Sequence, residues 1–190
     1  MSIVTAIASL KSAAPYSQSR PYTDPPKGDH ETNKDYEART WRERCHADAK
    51  GNVIVPPMTF KNCLSEAAKY LGMKIPGKGK STYTKHFEAG VMVITPLTLP
   101  IKKADIVGEW LYLNADGRRG SGTRVWKCYP VVAEWEGDVE FTIVDPAITE
   151  DVFSQHIVEA GKYIGIGRFR PRNNGFYGRF TLEGLKWNHN

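Results

Sequence analysis

The arrangement of apolar and polar residues predicts strands at both ends of the chain and two helices between them. Residues 3–10 are rich in apolar and β-branched side chains, which favours a first strand. A helix follows Pro56-Pro57, with Thr59 as its expected N-cap and Gly72 as its expected end. Its apolar side chains recur at helical spacing, at Phe60, Leu64, Ala67, Ala68 and Leu71.

The second half of the chain contains three further strand patterns and the second helix. Continuous apolar residues predict a buried strand over 91–94, and alternation predicts strands over 139–144 and 176–182. Thr149 is the expected cap of the second helix, whose first turn carries Glu150 and Asp151. The remaining strand candidates are less regular, and they are 110–113, 53–55 after a Lys50-Gly51-Asn52 turn, and the partly alternating segment 36–52.

With the loops omitted, the order is strand, helix, strand, strand, helix, strand. This βαββαβ order predicts an α+β protein with a ferredoxin-like core, in which two helices cover one face of an antiparallel sheet. We expect a single domain over 1–190, with two insertions at 11–56 and 98–138. Enzymes, metal carriers and RNA-binding proteins share this core, so the fold alone assigns no function.

Composition excludes a disordered tail, a coiled coil, a collagen and a small disulfide scaffold. The chain has 190 residues, 41% of them hydrophobic and 25% charged, which is typical of a globular domain. No apolar run approaches about 20 residues, so we expect no membrane partner, and the N-terminus lacks the basic start of a signal peptide. The three cysteines are odd in number, which favours a reducing cytoplasm. Cys45, Cys63 and Cys128 are far apart and form no Cys-x-x-Cys pair, which predicts no metal site and no cofactor.

The net charge of +5 is a small difference between unevenly distributed charges, 26 Lys and Arg against 21 Asp and Glu. Residues 131–160 contain eight acidic side chains and no Lys or Arg. An acidic face and a basic face on identical copies can associate head to tail, which predicts a homo-oligomer. The alternative is that these acids only balance neighbouring lysines within one copy, and the sequence favours neither interpretation over the other.

The most informative segment joins the second helix to the last strand. Glycines in it, including Gly165 and Gly167, would let backbone N–H groups approach a phosphate, and arginines match phosphate geometry. Nearby aromatic rings could stack on unpaired bases. We therefore expect RNA or single-stranded DNA to bind here, against the alternative of a plain surface turn. The arginines concerned are Arg168, Arg170, Arg172 and Arg179.

Two other glycine-rich segments are basic. One follows the first helix and carries Lys78, Lys80 and Lys85, but it lacks the earlier glycine of a Walker phosphate loop. The other carries Arg118, Arg119 and Arg124 around several glycines. Three basic segments in one domain favour a nucleic-acid partner over scattered surface charge.

Residues for catalysis are fewer. His30 could act as a general base in RNA cleavage by the 2′-hydroxyl, and Asp24 and Asp29 could hold a metal ion. No partner acid or further ligand has suitable spacing, so we assign no catalytic residue and expect no enzymatic activity. A metal-independent endoribonuclease is the second hypothesis.

Two motifs resemble the CRISPR-associated RAMP proteins. Residues 55–70, Val-Pro-Pro-Met-Thr-Phe-Lys-Asn-Cys-Leu-Ser-Glu-Ala-Ala-Lys-Tyr, are similar to their proline-led first helix. Residues 165–178 resemble their glycine-rich loop before the last strand. The resemblance is greatest to the backbone subunits that polymerise along guide RNA in effector complexes. It implies an RRM-like core that binds RNA phosphates without reading sequence, and it adds Lys61 and Asn62 to the candidate contacts.

These observations predict a protein that binds RNA or single-stranded DNA through the phosphate backbone and assembles along it. The resemblance also implies CRISPR effector subunits as partners, and a phage-encoded mimic or inhibitor of such a subunit is one form of this hypothesis. The third hypothesis is an interaction protein that engages a host complex without free nucleic acid.

Overall fold

The structure is a computed structural model that describes residues 3–115, 120 and 122–189. The strands are β1 (Val4–Ser12), β2 (Tyr16–Ser17), β3 (Asn52–Val55), β4 (Val91–Met92), β5 (Leu97–Lys102), β6 (Val107–Asn114), β7 (Arg124–Val132), β8 (Glu136–Ile143) and β9 (Phe180–His189). The α-helices are α1 (Asn33–Thr40), α2 (Pro57–Leu71), α3 (Thr84–Gly90) and α4 (Glu150–Glu159). None of the helices in these described ranges is long and apolar enough to cross a membrane.

The core is a four-stranded antiparallel sheet in the order β4-β8-β1-β9. Alternate residues of β1 and β8 face the helices, with Ala6 opposite Phe141 and Ala8 opposite Val139. These side chains are buried together with residues of α2 and α4. The α+β class is confirmed, and the core has the strand order, antiparallel pairing and helix placement of the predicted ferredoxin-like arrangement.

Two smaller sheets are built from the segments between the core elements. One has the order β2-β7-β6, and the other pairs β3 with β5. The predicted strand at 110–113 is part of β6, which forms a long hairpin with β7, and the predicted turn at 50–52 does precede β3.

The segment around residues 36–44 is helical, so the prediction of a strand there was wrong. Thr32 caps α1 by accepting a hydrogen bond from the Asp35 N–H, and a 3₁₀ turn follows over Trp41–Arg44. The side chains of Glu37 and Arg44 are buried against each other as an ion pair. Because two of the buried positions are charged, the apolar pattern could not reveal the buried face.

Three other predicted boundaries differ from the structure. Helix α2 begins at Pro57 with Pro56 as its N-cap, so Thr59 lies within the first turn, whereas the predicted end at Gly72 is confirmed. Only Val91 and Met92 of the predicted strand 91–94 pair with β8, and Ile94 is exposed. The last strand begins at Phe180 and not at Phe176, because residues before it belong to a tightly packed loop that still alternates in sequence.

Candidate nucleic-acid interface

The glycine–arginine loop, defined here as residues 165–179, packs its backbone closely against the rest of the protein. Gly167 and Gly178 both have positive φ, and a Cβ on either would overlap a carbonyl oxygen, that of Ser17 or that of Ile166. The Arg168 N–H donates to the Ser17 carbonyl at 2.9 Å. These glycines therefore permit close packing within the protein. Gly165, also at positive φ, is buried beside Pro171.

Arg168 lies inside a junction between this loop and the β6–β7 hairpin. Its guanidinium carbon stacks 3.8 Å from the centre of the Tyr129 ring, and its NH2 group is 3.0 Å from Glu109 Oε2. Its Nε donates to Ser17 Oγ at 3.1 Å, and the side chain is only 9% exposed. Burial lowers the pKa of Arg168. The side chain joins two parts of the protein and offers little surface to a ligand.

Glu109 also accepts a hydrogen bond from the Tyr177 hydroxyl, so one carboxylate on β6 binds two side chains of the loop. Burial, and then the hydrogen bond to Glu109, raises the pKa of Tyr177 to about 12. The loop and the hairpin are thus held together by a shared acceptor.

The other loop arginines are also engaged within the protein. Arg170 NH2 is 2.7 Å from Glu66 Oε2, and Arg172 Nε is 3.0 Å from Glu66 Oε1. Arg179 is partly buried, and its NH1 group is 3.4 Å from the Phe176 carbonyl oxygen. The loop arginines are therefore neither all free to bind phosphate nor simply exposed to solvent.

A cleft of about 470 Å³ runs along α2 and is completed by Glu88 of α3 and Arg172 of the glycine–arginine loop. Lys61 lines it but directs its ammonium inward, donating to Ser65 Oγ at 2.8 Å and to the Phe87 carbonyl at 2.6 Å. Burial lowers the pKa of Lys61. The full lining is Met58, Lys61, Asn62, Ser65, Glu66, Lys69, Glu88 and Arg172. Lys61 and Asn62 therefore line the same cleft as Arg172, and their contact with nucleic acid stays a prediction.

The lysine loop, residues 73–83 between α2 and α3, presents its cations to solvent. The backbone forms a tight turn in which Ser81 N–H donates to the Lys78 carbonyl at 3.1 Å. Lys78 and Lys80 in this loop are exposed, as is Lys85 at the start of α3. Among the residues that the structure describes, no ion pair includes any of these three lysines.

The third basic segment lies at the end of the β6–β7 hairpin. Arg124 is exposed at the start of β7, whereas Arg118 and Arg119 lie outside the described residues. The register pairs Tyr112 with Trp126 and Trp110 with Cys128, so Trp110, Tyr112 and Trp126 share one face. They are 38%, 51% and 41% exposed.

Sequence reasoning missed this aromatic face, defined as Trp110, Tyr112 and Trp126. The rings of Tyr112 and Trp126 lie 5.2 Å apart, and Lys34 Nζ of α1 is 5.8 Å from the Trp126 ring centre. Arg124 lies on the same face, and none of the described residues that the register places there is acidic. The signal was present in the sequence as Trp110 and Tyr112 before a glycine-rich turn and Trp126 after it.

The acidic residues of β8 lie on the sheet face away from the helices. Glu136, Asp138 and Glu140 are exposed and alternate with buried Val139 and Phe141. Near them, Lys11 is 4.0 Å from Glu136. This geometry is compatible with either interpretation of the acidic block, and head-to-tail association stays a prediction.

The candidate catalytic residues all lie in one exposed segment of the chain. Asp24, Asp29 and His30 are exposed in the segment before α1. Among the residues described, no three His, Cys, Asp or Glu side chains come together as a metal group would require. Cys45 is buried, which raises the pKa of its thiol to about 11.

Comparisons with known proteins find similarity among solved structures and not among sequences. No protein-family model matches the sequence, and no curated protein matches it. Among solved structures, the chain is similar to one from a "CRISPR RNA-guided surveillance complex", with 10% sequence identity and a TM-score of 0.41. The alignment covers 96% of this chain and 67% of that chain. A similarity at this level supports no functional conclusion.

Proposed function

We propose that this protein binds RNA or another single-stranded nucleic acid without cleaving it. The observation that carries the proposal is the aromatic face of the β6–β7 hairpin with its flanking cations. Exposed aromatic rings are stacking surfaces for unpaired bases, and they tolerate any base because every base has a π-face.

The spacing of the aromatic face suits an extended strand. Residues two apart on a β-strand are separated by about 6.8 Å, about twice the roughly 3.4 Å rise per nucleotide in a duplex, so neighbouring bases that contact both rings must be unstacked from each other. Trp110 and Tyr112 have this two-residue spacing, and Trp126 adds a neighbouring ring. A single strand that crosses the hairpin can therefore place bases on separate rings without a duplex.

Charge favours nucleic acid over a protein partner for this surface. Lys34 and Arg124 flank the rings, and no acidic side chain shares their face of the described hairpin. Protein interfaces also use aromatic residues, but their buried centres are depleted of charge. Lys78, Lys80 and Lys85 supply further cations that can contact phosphates.

The test is equilibrium binding of a fluorescein-labelled oligouridylate in EDTA, followed by anisotropy. We expect single strands to bind more tightly than a duplex of equal length, because paired bases cannot reach the rings. If the three exposed lysines contact three phosphates, affinity should fall about twentyfold between roughly 50 and 200 mM salt. The RNA should remain intact on a denaturing gel.

Two outcomes would contradict the proposal. Equal affinity for single strands and duplex would show that unpaired bases are not recognised. Cleavage in EDTA would favour the endoribonuclease, and the variant His30→Ala would then test the proposed general base.

A further inference from the structure

Glu66 occupies an unusual position in the cleft beside α2. Its two carboxylate oxygens are bound separately by Arg170 and Arg172, at 2.7 and 3.0 Å. These arginines lie two positions apart in sequence, whereas Glu66 is more than a hundred positions away on a helix. A carboxylate that receives two guanidinium groups in this way occupies the place that two oxygens of a phosphate could take.

The surroundings of Glu66 carry more positive charge than Glu66 neutralises. Lys61, Lys69 and Arg172 line the cleft, and Arg170 adjoins it, against the two acids Glu66 and Glu88. The Nε atom of Arg170 is buried and has no hydrogen-bond partner among the described residues, so Glu66 leaves one donor of this guanidinium unsatisfied. A phosphate group has more acceptor oxygens than a carboxylate, and it could satisfy this donor as well.

We propose that Glu66 is an internal occupant of a phosphodiester site formed by Arg170 and Arg172, and that a nucleic-acid phosphate binds by displacing it. The inference rests on the proposed function, because it names a backbone site for the same ligand. It also explains how arginines that are paired within the protein can still contribute to binding.

Displacement is feasible because the contact is accessible to solvent. The Glu66 side chain is 26% exposed and that of Arg172 is 49% exposed, so water can replace the contacts that are lost. The contact with Arg172 is the more exposed of the two and contributes little to stability, whereas the side chain of Arg170 is only 23% exposed. A strand that binds would therefore open the Arg172 contact first.

The experiment compares Glu66→Gln with the matched control Glu88→Gln. Both changes remove one negative charge from the same cleft, but only Glu66 contacts the loop arginines, since Glu88 pairs with Lys69 at 2.7 Å. The probes are a base-free deoxyribose phosphate oligomer and inorganic phosphate, the latter followed by phosphorus NMR. We expect Glu66→Gln to bind the oligomer about tenfold more tightly than wild type, the effect of one extra charge-assisted hydrogen bond. Glu88→Gln should gain only about twofold, as for a rim charge.

The double variant Glu66→Gln/Arg172→Ala identifies the site. This double variant should lose the increase in affinity shown by Glu66→Gln if the phosphate binds at the arginines. Thermal unfolding of each variant checks that the loop remains folded. If Glu66 only fastens the loop, Glu66→Gln will lower the melting temperature and raise affinity no more than Glu88→Gln, which would overturn the inference.

The two proposals fail in different ways. If wild type binds oligouridylate but Glu66→Gln and Glu88→Gln increase the affinity equally, the proposal that Glu66 occupies a phosphate site is wrong and the proposed function stands. If no variant binds oligouridylate, the proposed function is wrong. A specific gain in inorganic phosphate binding by Glu66→Gln would then still support an anion site at the arginines.

Discussion

The glycine–arginine loop and the β6–β7 hairpin use their side chains in opposite ways. The loop directs Arg168, Arg170 and Arg172 toward acids of the same protein. The hairpin exposes Trp110 and Tyr112, with Trp126, to solvent, although aromatic rings are costly to leave in water. The glycine–arginine loop therefore has most of its cations paired within the protein. The β6–β7 hairpin, by contrast, offers an exposed surface to a ligand.

The difference shows that charge in a sequence does not indicate free charge in a structure. Arg168 pairs with Glu109, 59 positions away, and Arg170 pairs with Glu66, 104 positions away. Long side chains reach partners that only the fold brings near. The hairpin rings instead lie on two strands that pair directly with each other, with Tyr112 opposite Trp126.

The largest effect should come from removing the aromatic face. The variant Trp110→Ala/Tyr112→Ala/Trp126→Ala should bind single-stranded oligouridylate about 100-fold more weakly, since stacking contributes about 1–3 kcal/mol per base. Anisotropy at low salt measures this loss. Duplex binding should change far less, because duplexes do not use the rings.

The control is Val107→Ala, which removes an exposed apolar side chain from the opposite face of the same strand. It should bind as wild type does. Circular dichroism should show that both proteins are folded. If the triple variant binds within about threefold of wild type, the ligand binds elsewhere and the hairpin is not the binding surface.

The second effect concerns stability and tests the structural role of the loop. Arg168→Ala removes a buried guanidinium and leaves Glu109 partly buried without that partner. Breaking a fully buried pair costs about 3–5 kcal/mol, and the partial exposure of Glu109 reduces our expectation to about 2 kcal/mol. This should lower the melting temperature by roughly 4–8 °C for a chain of this size.

Arg172→Ala is the matched control, because Arg172 lies in the same loop but its side chain is 49% exposed. Its expected cost is below about 0.5 kcal/mol. If the two variants melt alike, Arg168 does not join the loop to the hairpin.

The core could be predicted from sequence because its pattern is local and regular. Apolar residues of β1, α2, β8 and α4 recur with the period of their own element, and Gly72 and Thr149 mark boundaries through local hydrogen bonds. Helix α1 could not be predicted in this way. Its buried face includes Glu37, whose burial depends on Arg44 and on the backbone N–H of Cys128 far along the chain.

The candidate interface was predicted only in part, for the same physical reason. The exposed lysines of the lysine loop follow from a local run of Gly and Lys, with tight turns at Gly77 and Gly79. The pairing of the loop arginines depends on tertiary contacts. The aromatic face requires the register between β6 and β7, which places Tyr112 opposite Trp126.

The smallest effect should appear at Glu109, where the two regions meet. The pKa of Tyr177 is raised to about 12 by burial and by the Glu109 carboxylate, because a phenolate would be poorly solvated and repelled. A tyrosine whose pKa is higher in the folded state stabilises that state fully below its ordinary pKa near 10. This contribution is lost as the pH rises through about 12. Glu109→Gln keeps the burial but removes the charge, so the pKa of Tyr177 should fall and stay above its ordinary value.

The measurement is ultraviolet absorbance of phenolate during alkaline titration, with Tyr177→Phe subtracted to isolate one of the nine tyrosines. Glu134→Gln is a suitable control, since Glu134 is exposed and no hydrogen bond between described residues links it to Tyr177. An unchanged titration in Glu109→Gln would mean that burial alone raises the pKa of Tyr177. The contacts of Arg168 would then hold the loop to the hairpin, and the loss of stability in Arg168→Ala would measure the strength of that attachment.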